Sequence, residues 1–159
     1  MGGDAAVRRT FVWSGVDAPR MEIAYVDLLG PEPTARGTII GVSYELRYEL
    51  EPELIRAGVV GGQRVVLELG DADFFDVAFS PFFNSLPVLR DGLLQGGEPR
   101  DYVMRFVDVP SLETQTSEQR YEPLGGDVVR FRSGSFVADL VFDPDGFVLE
   151  YPGLARRVG

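Results

Sequence analysis

Alternation of apolar and polar positions is the strongest pattern in this chain. From Thr38 to Leu50, the residues Ile40, Val42, Tyr44, Leu46, Tyr48 and Leu50 alternate with Gly41, Ser43, Glu45, Arg47 and Glu49. A period of two predicts one long strand with a single buried face, and Gly41 is the natural place for it to bend. Shorter runs predict strands over Arg8–Trp13, Glu22–Leu28, Arg64–Leu69, Tyr102–Val109 and Gln119–Pro123. Glu22–Leu28 carries Ile23 and Tyr25 on one face and Ala24, Val26 and Leu28 on the other, as a strand covered on both sides would. Val128–Arg132 and Phe136–Phe142 read as a hairpin about Ser133-Gly134, and Asp143-Pro144-Asp145-Gly146 as a turn into Phe147–Tyr151. Gly30–Gly37 reads as a loop and Leu154–Gly159 as a short tail. Glu51–Ala57 reads as one helical turn started by Pro52. The sum is about ten strands or more in hairpin connections, an antiparallel all-β domain spanning residues 1–159.

Asp76–Arg90 breaks this pattern. It is rich in phenylalanine and aliphatic residues, yet Pro81 and Pro87 each remove a backbone donor and would spoil a central strand. Asn84 and Ser85 stand among the apolar groups. Such a segment predicts a plug or short helix crossing the interior with sheet wrapped round it, its polar side chains satisfying backbone groups that no ladder reaches.

Composition narrows the chemistry. The 159 residues suffice for one sizeable core. The net charge of −10, with every base an arginine, disfavours nucleic acid and unaided docking on an anionic membrane. Cysteine, histidine and lysine are absent, which removes disulfides, thiolate and imidazole catalysis, Schiff bases and the usual zinc and haem ligands. No cofactor or metal is expected. No apolar run reaches the roughly 18 residues of a membrane helix. The N-terminus lacks an apolar signal core, and Ala6 stands where myristoylation after Gly2 needs Ser or Thr. The cytoplasm is the default compartment.

What remains is carboxylate chemistry. Asp143-Pro144-Asp145-Gly146 begins like a calcium loop, but Leu154 occupies the closing position, so a plain turn is expected. Asp71 and Asp73 read as solvated turn groups, and Asp76 as a cap on the central segment. Glu45 and Glu49 share a strand face but lie about 13 Å apart, too far for an acid pair. Arg90, Arg105 and Arg120 sit beside apolar residues, suited either to a ligand's polar atoms or to structural acids. The aromatics would form core or line a ligand cavity.

Four ordered stretches resemble a bacterial family known as putative glycolipid-binding, formerly a domain of unknown function. They are Asp-Val-Ala-Phe-Ser-Pro-Phe-Phe-Asn-Ser-Leu-Pro-Val-Leu-Arg at Asp76–Arg90, where the family reads close to D-x-x-x-[ST]-P-F-T-N-T-L-P-I-R-R; Val107–Leu112; Gln119-Arg120-Tyr121; and Asp143–Val148 with Tyr151–Leu154 and Arg156 or Arg157. Trp13, Asp17-Ala18-Pro19 and Glu22 are similar to the family's opening. Phe83 and Leu89 stand where the family commonly has Thr and Arg, and Leu50–Arg64 is shorter than usual. The resemblance implies a spiral β-roll, a long antiparallel sheet wound around a short central helix, similar in shape to lipoprotein carriers of the bacterial envelope. It implies a non-enzymatic domain binding an amphipathic lipid such as a glycolipid. The apolar chain is then expected on Phe79, Phe82, Phe83 and Leu86, and the polar head at Asn84, Arg90 and Arg120, with Asp76 and Tyr121 holding the scaffold. Such a site needs an apolar cavity of roughly several hundred Å³. Two rivals remain: a filled roll that binds a protein through a strand edge, and a glycan hydrolase, which needs two acids ~5–9.5 Å apart.

Overall fold

The computed structural model describes residues 8–27, 34–39, 42–49 and 53–159. They form thirteen strands and one helix. Six strands come first: β1 (Arg8–Gly15), β2 (Arg20–Asp27), β3 (Thr34–Ile39), β4 (Val42–Glu49), β5 (Leu54–Val59) and β6 (Arg64–Glu68). The strand β7 (Phe74–Val77) leads into the helix α1 (Pro81–Asp91). Then follow β8 (Arg100–Val107), β9 (Thr114–Gly125), β10 (Val128–Ser133), β11 (Phe136–Phe142), β12 (Val148–Tyr151) and β13 (Ala155–Arg157).

All thirteen strands lie in one sheet, in the order β6-β5-β4-β3-β2-β1-β13-β12-β11-β10-β9-β8-β7. The chain thus meanders outward from β1 to one edge, crosses to the other, and meanders back until β13 pairs with β1. Chain length dictates the shape. Laid flat, the twelve gaps between β6 and β7 would separate them by nearly 60 Å, about 4.8 Å per gap. The link from Glu68 to Phe74 reaches at most about 20 Å. The two edges must therefore lie near each other, and the sheet rolls. Gln63 Nε2, just ahead of β6, donates to Ser111 O, just after β8, at 2.8 Å.

The interior of the roll is occupied by α1. Ser80 caps its start and accepts from Phe83 N–H at 3.4 Å, Pro81 suits the first turn, and Gly92, left-handed at φ 59°, closes the end onto Val88 O. Eight consecutive residues, Pro81–Val88, are buried. A surface helix hides only one stripe; this one is covered on every side. Burying Phe82, Phe83 and Leu86 contributes about 1.5–3 kcal/mol each. This is the all-β spiral roll around a short helix.

Several local expectations are corrected. Thr38–Leu50 is not one strand: Ile39 on β3 pairs antiparallel with Val42 on β4, and Ile40, Gly41 and Leu50 lie outside the described residues. Alternation reports the face a side chain takes, not where the chain reverses. Leu54–Val59 is a strand rather than the end of a helical turn, because pairing with β4 and β6 outweighs a helix start too short to nucleate; Glu51 and Pro52 lie outside the described residues. Thr34–Gly37, expected in a loop, belongs to β3, while Gly30–Pro33 lie outside the described residues, as do Met1–Val7. On β2, Ala24 and Val26 are buried but Met21 and Tyr25 are exposed, so one face only is covered; Leu28 is outside the described residues. The sheet is not wholly antiparallel, since the chain passes through α1 and returns with β8 parallel to β7. The short tail supplies β13.

Candidate functional site

The polar residues of α1 are spent on holding it. Glu22, buried on β2, accepts from the Ser80 hydroxyl and from Phe82 N–H (3.1 Å), so a carboxylate from the sheet completes the helix cap. Burial pushes the Glu22 carboxyl up to about 7, against the opposing pull of those two donors. Asn84 donates to the Tyr121 hydroxyl on β9 at 3.1 Å, and Val148 N–H on β12 donates to Ser85 Oγ at 3.1 Å. At the C-terminal end, Arg90 donates to Glu53 at 3.1 Å and also to the Tyr48 hydroxyl. Tyr102 donates to Asp91 at 2.6 Å. Phe83 meets Tyr48 edge-on, with ring centroids 5.7 Å apart.

Beside the helix an open cleft of about 430 Å³ lies against β8–β10. The period-two geometry of β9 places Gln115, Ser117 and Gln119 along it, from exposed Gln115 to buried Gln119. Phe106 on β8, Phe131 on β10, Phe136 on β11 and Tyr151 on β12 add aromatic walls. The floor is polar. Gln119 Nε2 donates to Asp76 Oδ2 at 2.7 Å and to Ser117 Oγ at 3.2 Å, while Gln119 Oε1 is buried without a partner among the described residues. Asp76 is only 8% exposed. Burial pushes its carboxyl up to about 6, opposed by the Gln119 amide and Val77 N–H. Asn84 borders this floor, and Asp108 also lines the cleft.

Phe79 stands at the cleft as a 41% exposed side chain on a left-handed backbone, φ 62°. A bulky residue in that conformation is strained and needs surroundings that hold it. Arg20 supplies part of the support, with its guanidinium 4.5 Å from the ring centroid. A larger groove of about 540 Å³ borders Arg56, Arg64 and Val66 on β5 and β6, but its polar side chains are all exposed. Among the described residues no group of three or more acids is arranged to hold a metal ion, and no helix is long and apolar enough to cross a membrane.

A family model described as "Putative glycolipid-binding" matches residues 58–157. The chain belongs to this family. The crystal structure of a DUF1089 family protein from Pseudomonas aeruginosa is similar along the whole length, with a TM-score of 0.61 and 22% identity over 99% of this chain and 97% of that one. At that identity the likeness concerns the fold. No protein of curated function matches the chain.

The family's motifs are brought together around one helix. Ser80, Asn84, Ser85 and Arg90 bond to the surrounding chain as described above. In the closing motif, Asp143 accepts from Asp145 N–H (2.9 Å), Phe147 N–H (3.0 Å) and Arg157 (2.6 Å), which makes it the centre of a turn. Burial alone would raise the Asp143 carboxyl, but the Arg157 guanidinium and these N–H groups hold it below its usual range.

The structure sorts the expected site residues into four places. Phe79 and Asn84 line the cleft. Phe82, Phe83 and Leu86 are core residues, buried within the roll. Arg90 is paired at the far end of α1, and Arg120 lies on the outer face of β9 across from Asp101 at 2.9 Å. Arg105 keeps a buried Nε without a partner among the described residues, and it is not in the cleft lining. Tyr121 holds the scaffold, whereas Asp76 also faces the cleft. The cleft residues that sequence reading missed are Phe106, Ser117, Gln119, Phe131, Phe136 and Tyr151. Gln119 and Tyr151 stood within the matched stretches Gln119-Arg120-Tyr121 and Tyr151–Leu154; Phe106, Ser117, Phe131 and Phe136 carried no local mark.

Proposed function

We propose that this protein is a non-enzymatic binding domain for an amphipathic lipid, such as a glycolipid, held in the cleft beside α1. The observation that carries the reading is the cleft itself, in which aromatic walls meet a buried polar floor of Asp76, Gln119 and Asn84. Its volume of about 430 Å³ falls within the range of small-ligand sites. The apolar part of a ligand packs on Phe106, Phe131 and Phe136, and its polar end meets the floor. This places the ligand outside the roll's centre, where Phe82, Phe83 and Leu86 already fill the space. The family's name supports the ligand class.

Native mass spectrometry of protein purified without detergent, followed by solvent extraction, tests the reading. A lipid adduct is expected on the wild type and is expected to be lost in Ser117→Trp, which fills the cleft from β9. A clean mass, together with no uptake of added short-chain glycolipid, would refute it. One observation favours a second reading: Asp76 and Asp108 both line the cleft, as the acids of a glycan hydrolase would. Release of free sugar from the added glycolipid would select that alternative.

A further inference from the structure

We infer, resting on the ligand class proposed above, that the cleft selects a head group that donates hydrogen bonds and carries no negative charge: a neutral sugar rather than a phosphate or carboxylate head. The floor decides this through its unused valences. Gln119 already gives its amide N–H groups to Asp76 and Ser117, and its Oε1 lies buried with no donor. Asp76 accepts from Gln119 and from Val77 N–H, and an ionised carboxylate has room for further donors. The free capacity at the deepest point is therefore acceptor capacity, and the ligand must bring the protons.

The charge pattern points the same way. Asp76 and Asp108 border the cleft, and no arginine is among its described lining residues. Arg20 reaches two lining residues from behind, packing on the Phe79 ring and donating to Leu154 O at 3.3 Å, and its charge is paired with Asp17. An anionic head placed on this floor would meet carboxylate charge with no cation among the described lining residues to offset it. The net charge of −10 adds to that repulsion. A cation without N–H or O–H groups would satisfy the charge but leave Gln119 Oε1 still unpaired.

Three probes with one tail separate these possibilities: octyl β-glucoside, octyl phosphate and octyltrimethylammonium, titrated calorimetrically below their micellar concentrations at fixed ionic strength. Octyl glucoside is expected to bind at least about tenfold more tightly than either of the others. In Asp76→Asn, the advantage over octyl phosphate is expected to shrink to about threefold or less, because the charge is gone and the acceptor remains. Fluorescence of Trp13, the single tryptophan, reports whether the variant is folded. Should it not fold, the wild-type ranking alone decides. Octyl phosphate binding as well as the glucoside would overturn the inference while leaving lipid binding intact. Octyltrimethylammonium binding best would overturn the donor requirement. No binding of any probe would overturn the proposed ligand class, and this inference with it.

Discussion

Glu22 gives the sharpest stability prediction. Its carboxylate is buried against the start of α1, accepts from Ser80 and Phe82, and has its pKa raised from 4.5 to about 7 by burial. A carboxyl with a raised folded-state pKa binds its proton more tightly in the folded protein than in the unfolded chain. Its contribution to stability is fully present below about pH 4.5 and is lost as pH rises through about 7. The displacement corresponds to roughly 3 kcal/mol between those limits, a sizeable share of a domain's total stability. Asp76, raised from 3.8 to about 6, acts in the same direction. Asp139 and Asp143 are lowered by their arginine partners, so their contributions fail only when pH falls below the usual carboxylate range. Stability should therefore peak in mildly acidic solution and decline towards pH 8. The perturbation is Glu22→Gln, which keeps an acceptor for the helix cap and removes the titration. Urea unfolding followed by Trp13 fluorescence, at intervals from pH 5 to 8.5, measures the slope; Trp13 pairs with Glu22 across β1 and β2 and is 1% exposed. The wild type should lose about 4 kcal/mol over this span, more than half of it from Glu22, and Glu22→Gln should show a visibly flatter dependence. Equal slopes in the two proteins would refute the reasoning.

Two further variants test the core and the helix contacts. Phe83→Ala should destabilise the fold by about 3–5 kcal/mol, because Phe83 is 1% exposed and packs on Phe82 and Tyr48; chemical denaturation measures it, and a loss below about 1 kcal/mol would count against a filled roll. Gly146→Ala should lower the melting temperature, since Gly146 has φ 95° and a Cβ there would lie 2.8 Å from Leu89 Cδ2; an unchanged melting temperature would show that α1 is free to shift.

Much of the fold was legible because strands announce themselves by period two. Val128–Ser133 and Phe136–Phe142 were read almost to the residue, and the prolines of Asp76–Arg90 correctly excluded a central strand. The same rule failed on β9. Thr114–Gln119 is polar at every position, so alternation could not show that Gln115, Ser117 and Gln119 share a face. A polar residue beside a binding cleft and a polar residue in water look alike in sequence.

The sequence by itself determined the all-β class, the turns at Asp143–Gly146 and Ser133-Gly134, the lack of imidazole and thiol side chains, and the apolar segment fit for an interior. Those properties follow from local sterics and from the inventory of side chains. Only the tertiary structure decided where the polar groups of that segment go. Glu22 reaches Ser80 across 58 positions, and Val148 reaches Ser85 across 63. Asp76 meets Gln119 across 43 positions, because the roll brings β7 alongside β8 and β9. The functional surface is a product of that closure: hydrogen bonds and burial depend on distance in space, which chain spacing alone does not set.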